Sequence, residues 1–251
     1  MTMILKTTPV LLGCWLLAVS AAAQTYPPVM LDPALLKFFP EDAAFSAALE
    51  ISSSAPTYRW PVKIAVRGLR TRVEMDIAQM QEQAVEKAWT NYVSKMAVAG
   101  TAKSIRIFNP DRRCLYTLWP QLKGYVEDPI PADALAELAK RPKPHKVVLG
   151  AEEIGGRTAT KTRLVFSRGK MDVWRTWESP EAIVWAAKDA PAVPLQIVVV
   201  NSLGETNATL VFSEISSRKP DTALFAPAKG FEKLDEQTFS KRIMEKWPKD
   251  Q

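Results

Sequence analysis

The feature that most constrains the fold is an alternation of apolar and polar side chains that recurs along most of the chain. Apolar residues occupy every second position from Phe45 to Ile51, with Ser46 and Glu50 between them. A period of two is typical of a β-strand with one buried and one solvated face. Gly68 shifts the phase between two such runs and indicates a turn or bulge. The alternation predicts further strands at residues 62–66, 69–77, 105–108, 114–119, 124–127, 161–167, 171–177, 181–187, 195–200 and 206–215.

Three segments have a helical period instead. Residues 80–99 repeat apolar side chains at three- and four-residue spacing and stop at Gly100. Residues 132–140 follow Pro131, and residues 235–247 place Phe239, Ile243 and Trp247 four apart. The apolar stripe of the first helix suits either packing on a core or covering a ligand cavity as a lid. The sequence leaves both uses open.

These elements predict an α+β fold that is mainly β. Roughly nine or ten strands in succession, interrupted by helices, indicate a strongly curved antiparallel sheet or half-open β-barrel with helices on its concave side. A sheet of that size encloses volume. Where the helices do not fill it, the remainder is an apolar cavity of the kind that holds a lipid or another small molecule.

The N-terminal residues have the three-part layout of a secretion signal. Lys6 precedes an apolar run over residues 9–19, which ends in small residues at 20–23. The run is shorter than the ~18 to 20 residues that a membrane-spanning helix needs. We therefore expect residues 1–23 to be a signal peptide, cleaved between Ala23 and Gln24, and residues 24–251 to be a single exported domain.

A lipoprotein signal is the alternative. In that interpretation Cys14 is acylated and becomes the new N-terminus. It fits less well, because cleavage there would leave residues 15–19 as an exposed apolar stub on the mature protein.

Cysteine content and charge set further limits. Without Cys14, Cys114 has no disulfide partner in the chain, so the core must hold the fold unaided. Arg112 and Arg113 would lower the Cys114 pKa, whereas the strand pattern favours a small buried filler.

The net charge of +6 suits anionic lipid headgroups, an acidic partner or simply a solvated exterior. Export disfavours nucleic acid as a partner.

No known catalytic or metal-binding motif is present. His145 is the single histidine and lies in a segment, residues 143–146, that resembles an exposed loop. It has no Cys or His neighbour for a zinc site and no nucleophile motif beside it. Carboxylates such as Glu152, Glu153, Asp172 and Glu178 could serve a glycosidase only as a pair across a cleft, which sequence cannot place. We predict no catalytic residue, no metal and no cofactor, and an unrecognised hydrolase is the least favoured hypothesis.

The order of several soft motifs resembles the LolA-like outer-membrane lipoprotein-sorting superfamily, over nearly the whole mature chain. The motifs are Phe45-x-Ala47-x-Leu49, Gly68-x-Arg70-x-Arg72, Asn109-Pro110-Asp111, Tyr116-x-Leu118-x-Pro120, Leu149-Gly150-x-Glu152, Ala182-x-Val184-Trp185, Pro194-Leu195-x-Ile197 and Leu224-Phe225-x-Pro227-x-x-Gly230-Phe231. The resemblance implies a periplasmic half-open β-barrel whose apolar concave face and helical lid hold acyl chains.

Two functional hypotheses follow. The first is a non-enzymatic periplasmic carrier or chaperone, expected to be a monomer with peripheral or transient membrane contact, that binds acyl chains of a lipid or lipoprotein. The second is an envelope protein-interaction or sensor module with a packed barrel. For the first, the expected cavity-lining residues are Leu49, Ile51, Val73, Met75, Trp89, Tyr92, Met96, Tyr116, Trp174 and Trp185.

Overall fold

A computed structural model describes residue 39 and residues 42–54, 57–82, 87–140, 144–165, 181–189, 193–200 and 204–248. Its strands are β1 (Ala44–Ser54), β2 (Thr57–Arg67), β3 (Arg70–Asp76), β4 (Gln81–Glu82), β5 (Lys103–Asn109), β6 (Cys114–Trp119), β7 (Gly124–Pro129), β8 (His145–Ile154), β9 (Arg157–Val165), β10 (Glu181–Ala187), β11 (Pro194–Val200), β12 (Thr206–Ser216) and β13 (Glu232–Lys233). Its α-helices are α1 (Lys87–Ala99), α2 (Ala132–Lys140) and α3 (Glu236–Lys246).

The strands form one curved sheet, in the order β13-β7-β6-β5-β3-β2-β1-β12-β11-β10-β9-β8, with β4 paired to β2. Neighbouring strands are antiparallel except for the short parallel pair of β13 and β7. Among the described residues, β13 and β8 end the sheet without pairing to each other, so the sheet stays open. The predicted fold class, a mainly β α+β fold built on a curved antiparallel sheet, is confirmed.

Local sequence explains the tight connections along the first half of the sheet. Pro110–Arg112 and Pro120–Leu122 are single 3-10 turns that each begin with proline. Each is followed by a left-handed residue, Arg113 at φ 53° and Lys123 at φ 48°. Proline fixes the first backbone angle of the turn, and the left-handed residue turns the chain back into the next strand. The two turns join β5 to β6 and β6 to β7.

The first helix begins later than predicted. Residues 80–99 were expected to be helical throughout, but α1 starts at Lys87. Before it, the Asp76 side chain accepts a hydrogen bond from the Ala78 N–H and caps a 3-10 turn. Strand β4 then pairs with β2. The backbone groups of that segment are thus used by the sheet, which outweighs the local helical pattern.

The expectation of a loop around His145 was wrong, because His145 is the first residue of β8. This ten-residue strand pairs with β9 along its length. Nearly all of its side chains are exposed on both faces, so it lacks the alternation by which the other strands were found. The strand predicted at residues 171–177 lies outside the described residues.

The closing helix α3 starts where the sequence predicts. Asp235 caps it by accepting a hydrogen bond from the Thr238 N–H at 2.6 Å. This hydrogen bond is the main cause of the lowered pKa of the Asp235 carboxyl. A carboxylate is favoured at this position because it satisfies an N–H that has no partner inside the helix.

A close contact between Gly124 and Leu234 gives the first prediction. A Cβ atom on the buried Gly124 would lie 2.3 Å from Cδ1 of Leu234, which is 3% exposed. Gly124→Ala is therefore expected to lower the free energy of unfolding by about 1 to 2 kcal/mol through overpacking. Urea denaturation followed by circular dichroism measures the change.

The control is the same substitution in a Leu234→Ala background. There the added methyl group has room, and Gly124→Ala should be close to neutral. An equal loss of stability in both backgrounds would show that backbone conformation, and not contact with Leu234, requires glycine at this position.

Candidate functional site

Four of the ten predicted cavity-lining residues lie on one face of the sheet. Leu49 of β1 is paired with Val62 of β2, and Val62 is paired with Met75 of β3. Directly paired residues point to the same side of a sheet, and positions two apart share that side. Ile51 and Val73 therefore lie on this face as well, and all four predicted residues are buried.

The same face continues through the second half of the sheet, because the register carries it from β1 into β12, β11, β10 and β9. We call it the apolar face. Its buried apolar residues are Phe45, Ala47, Leu49, Ile51, Trp60, Val62, Ile64, Val66, Val73, Met75, Phe108, Leu115, Leu164, Ala182, Val184, Ile197, Val199, Ala208, Leu210 and Phe212.

Helices α1 and α3 lie on the same side of the sheet as the apolar face. The Trp119 side chain shares the face with Leu115, four positions before it in β6, and its ring stacks on Phe239 of α3 with centroids 4.1 Å apart. Trp247 at the end of α3 contacts Tyr92 of α1, with ring centroids 6.0 Å apart. The closing helix therefore docks through Phe239 and Trp247, two of the three residues whose spacing predicted a helix.

The two helices are packed less deeply than the sheet face. Tyr92 and Met96, two of the predicted lining residues, are only partly buried, and Val98 is 61% exposed. Of the α1 side chains that the structure describes, only Ala99 is buried, and α3 has no buried residue. A largely buried sheet face is therefore approached by two helices whose apolar side chains are mostly exposed or only partly buried.

Tyr116 and Trp185 are not brought together with the other predicted residues, because the register places them on the opposite face. Tyr116 packs with Leu118 and Phe225, and its ring meets that of Tyr125 at 6.1 Å. Trp185 follows Val184 of the apolar face by one residue, so it points the other way. Neither side chain therefore shares the apolar face with Leu49, Ile51, Val73 and Met75.

Trp185 belongs instead to a polar cluster beside the β8 edge. Its Nε1–H donates to Oε2 of Glu152 at 2.8 Å, and Lys161 donates to the other oxygen of the same carboxylate at 2.7 Å. The Lys161 ammonium also lies 5.1 Å from the Trp185 ring centroid. These contacts lower the pKa of the Glu152 carboxyl, with the Lys161 hydrogen bond as the main cause. The cluster is satisfied internally and resembles a structural contact between strands.

The remaining two predicted residues cannot be placed. Trp89 lies in α1, but its side chain is outside the described part of the chain. Trp174 lies in the segment between residues 165 and 181, which is also outside it. Their role in a ligand cavity stays a prediction.

One polar residue that the sequence analysis missed lies on the apolar face. Arg106 of β5 is paired with Val73 on one side and with Thr117 on the other. It is partly buried, and burial lowers the pKa of its guanidinium, while the charge of Asp128 acts in the opposite direction. Among the described residues, no carboxylate oxygen lies within the 4.0 Å of an ion pair with Arg106.

A sequence signal for Arg106 does exist. Residues 105–108 read Ile-Arg-Ile-Phe, so both faces of β5 carry apolar side chains. In such a strand the arginine cannot lie on a solvated face, because neither face is polar. The alternation of Ile105 and Ile107 indicates only the opposite face of β5.

Cys114 is a buried filler, the second of the two interpretations of its sequence. It is 8% exposed and packs in a cluster with Ile107 and Leu118. Its Sγ lies 3.2 Å from Oε1 of Glu127 and 3.1 Å from the Arg112 carbonyl oxygen. Burial, together with the hydrogen bond to Glu127, raises the pKa of the thiol. The neutral thiol is therefore the stable form, contrary to activation by Arg112 and Arg113.

The groups that a hydrolase would need are not assembled in the described part of the chain. His145 is exposed at the start of β8, and its imidazole has no hydrogen bond or ion pair to the described residues. Glu153 accepts a hydrogen bond from the Thr158 hydroxyl at 2.6 Å, and Glu152 is held by Lys161. Within the same residues, no three His, Cys, Asp or Glu side chains are grouped to hold a metal ion.

A search for helices that could cross a bilayer, made over the described residues, finds none of sufficient length and apolar character.

Comparison with known proteins finds similarity in solved structures only. The chain matches no protein-family model and no curated protein sequence. It is similar to an uncharacterized conserved protein from Thermus thermophilus, with 12% identity, coverage of 81% of this chain and 95% of that one, and a TM-score of 0.46. It is also similar to a chain of the MucA/MucB complex of Pseudomonas aeruginosa, with 11% identity and a TM-score of 0.39. That match covers 80% of this chain but only 62% of the other.

A LolA superfamily protein from Nitrosomonas europaea is also among the similar structures. The match has 10% identity, covers 78% of this chain and 95% of the other, and has a TM-score of 0.31. All three TM-scores are below 0.5, so these likenesses assign neither a ligand nor a partner to this chain.

Proposed function

We propose that the protein is an exported, non-enzymatic carrier that binds acyl chains of a lipid or lipoprotein between the apolar face and helices α1 and α3. In this proposal residues 1–23 are a cleaved signal and residues 24–251 act as one monomeric periplasmic domain. Membrane contact is peripheral and occurs when the ligand is loaded or delivered.

The observation that carries the proposal is the unequal packing of the two layers. The sheet contributes a broad apolar face. The described side chains of α1 and α3, apart from Ala99, are exposed or only partly buried, and aromatic contacts join α1 to α3 and α3 to the sheet. Helices that completed a core would bury their apolar stripes. Helices that act as a cover can be displaced at low cost, because few buried contacts are lost.

The driving force for binding would be burial of the acyl chain. Each methylene group removed from water contributes about 0.8 kcal/mol, so a long chain can offset the displacement of both helices. Because hydrophobic burial is non-directional, the apolar face can hold an acyl chain without a specifically oriented polar group.

The proposal is tested by joining the two helices. Tyr92 and Trp247 are each replaced by cysteine and linked with a short bismaleimide reagent, in a Cys114→Ser background. The linked protein is expected to lose at least about tenfold in its rate of uptake of a fluorescent acyl-chain probe, because the cover can no longer move. Each single-cysteine variant treated with the same reagent is the control.

Lipid analysis gives an independent measurement. Protein purified from the periplasm is examined by native mass spectrometry for a bound mass that organic solvent extracts. Absence of bound lipid, together with failure of the unlinked protein to take up any acyl-chain probe, would exclude the carrier and leave the packed module.

The interaction module is supported by a separate observation at the β8 edge. Val148 is 68% and Leu149 45% exposed on this long strand, which ends the sheet. Exposed apolar side chains on an edge strand suit pairing with an extended segment of another protein. Val148→Lys should abolish such a complex, as measured by co-purification from the periplasm.

A further inference from the structure

We propose that Arg106 binds the anionic headgroup, a carboxylate or a phosphate, of an amphiphile whose acyl chain lies along the apolar face. This inference rests on the carrier function proposed above and defines the chemical class of its ligand.

The position of Arg106 is the first step. On the apolar face it lies between Ser104 and Phe108 along β5, and between Val73 and Thr117 across the sheet. The other charged residues with described side chains that the register places on this face belong to the outer strands β13, β7 and β8 and are exposed; they are Glu232, Asp128, Lys146 and Glu153. Arg106 is thus the charged side chain placed inside the face in the described part of the chain.

The second step is that the surrounding polar groups are not used by the fold. Thr71, paired with Phe108, is 5% exposed, and Ser104 and Thr117 are partly buried beside Arg106. The side-chain hydroxyls of these three residues make no hydrogen bond to the described residues, and neither does the guanidinium. Buried polar groups in native proteins nearly always have a partner. The Arg106 guanidinium and the three hydroxyls have no hydrogen-bond partner among the described residues. Together they form a set of donors for an anion.

The third step concerns chemistry. A planar guanidinium presents parallel N–H groups that match the two oxygens of a carboxylate or phosphate. Such a charge-assisted pair is stronger where water is excluded. An acyl chain along Val73 and Met75 would exclude water from one side of the pair, so the chain and the headgroup would support each other's binding.

The experiment compares ligands that differ only in the headgroup or only in the chain. Delipidated protein is titrated calorimetrically with dodecanoate, dodecyl phosphate, dodecanol, acetate and inorganic phosphate. We expect dodecanoate and dodecyl phosphate to bind at least about tenfold more tightly than dodecanol, and acetate and phosphate not to bind measurably. In Arg106→Met the preference for the anionic amphiphiles should disappear, while dodecanol binding remains.

Arg163→Met is the matched control, since Arg163 is a strand residue that is exposed on the opposite face. It should bind all five compounds as the unaltered protein does. Arg106→Lys, which keeps the charge but not the paired N–H groups, should retain part of the preference, and it replaces Arg106→Met if that variant does not fold.

The outcomes separate the two proposals. Equal binding of dodecanol and dodecanoate, or a preference that survives in both Arg106 variants, overturns the headgroup site and leaves the carrier. If acetate or phosphate binds at Arg106 and the amphiphiles bind no more tightly, Arg106 forms a small-anion site, and the headgroup proposal is also overturned. If no amphiphile binds, the carrier function itself fails, and the headgroup inference fails with it.

Discussion

Replacing Phe225 with alanine is expected to lower the free energy of unfolding by about 3 to 5 kcal/mol, the usual cost of removing a fully buried aromatic ring. Phe225 is 1% exposed and packs against Ile107, Tyr116 and Leu118 on the face opposite the apolar face. Its ring is the one large side chain that the C-terminal segment Thr222–Phe225 inserts into this cluster.

The backbone around Phe225 makes the site unable to collapse around the gap. The buried Asn109 amide donates to the Phe225 carbonyl oxygen at 2.8 Å. Arg72 donates to the Leu224 carbonyl oxygen at 3.1 Å, and Arg67 to that of Pro220 at 3.0 Å. These bonds hold the segment over the sheet after the ring is gone, so a cavity remains and its full cost is felt.

Leu224→Ala is the matched control, because Leu224 is the preceding residue and is 40% exposed. It should change stability by less than about 0.5 kcal/mol. Urea denaturation with fluorescence and circular dichroism detection measures both variants, and coincident transitions support a two-state analysis. A loss below about 1 kcal/mol for Phe225→Ala would show that the C-terminal segment is not part of the core.

Arg106→Met is expected to act in the opposite direction and raise the free energy of unfolding of the ligand-free protein by about 1 to 4 kcal/mol. A partly buried cation that has no carboxylate within ion-pair distance among the described residues costs desolvation energy that no strong contact offsets. Methionine has a similar length and no charge, so it fits the apolar face without this cost.

The exposed Arg163 again supplies the control, and Arg163→Met should lie within about 0.5 kcal/mol of the unaltered protein. A gain in stability for Arg106→Met alone means that the arginine is retained at the expense of the fold, which is common at binding sites. A loss of more than about 1 kcal/mol would instead give Arg106 a structural role and would count against the headgroup site.

Much of the secondary structure follows from local pattern. The strand at residues 45–51, the turn at Gly68 and the closing helix at residues 235–247 all appear where the period of the sequence predicts them. The exceptions have local patterns that mislead. Strand β8 is exposed on both faces and shows no alternation, and the segment before Lys87 has a helical period that the pairing of β4 with β2 overrides.

The sequence indicates the face of some candidate-site residues but not of others. Leu49, Ile51, Val73 and Met75 share one face, and each lies in a strand with a single strongly apolar side. Tyr116 and Trp185 lie in strands that bury both faces, as the burial of Leu115 and Val184 beside them shows. For such strands apolar character does not indicate which face a side chain occupies. Arg106 was missed for the same reason.

By itself the sequence determined the kind of most elements and the mainly β class of the fold, since the period of a segment depends on its own residues. Tertiary structure alone decided which side chains share a face. A shift of one residue in register moves every side chain of a strand to the other side of the sheet. That register is set by long-range pairing, such as Val62 with Met75 and Arg106 with Thr117, and it is this pairing that places one cation among the apolar residues of the site.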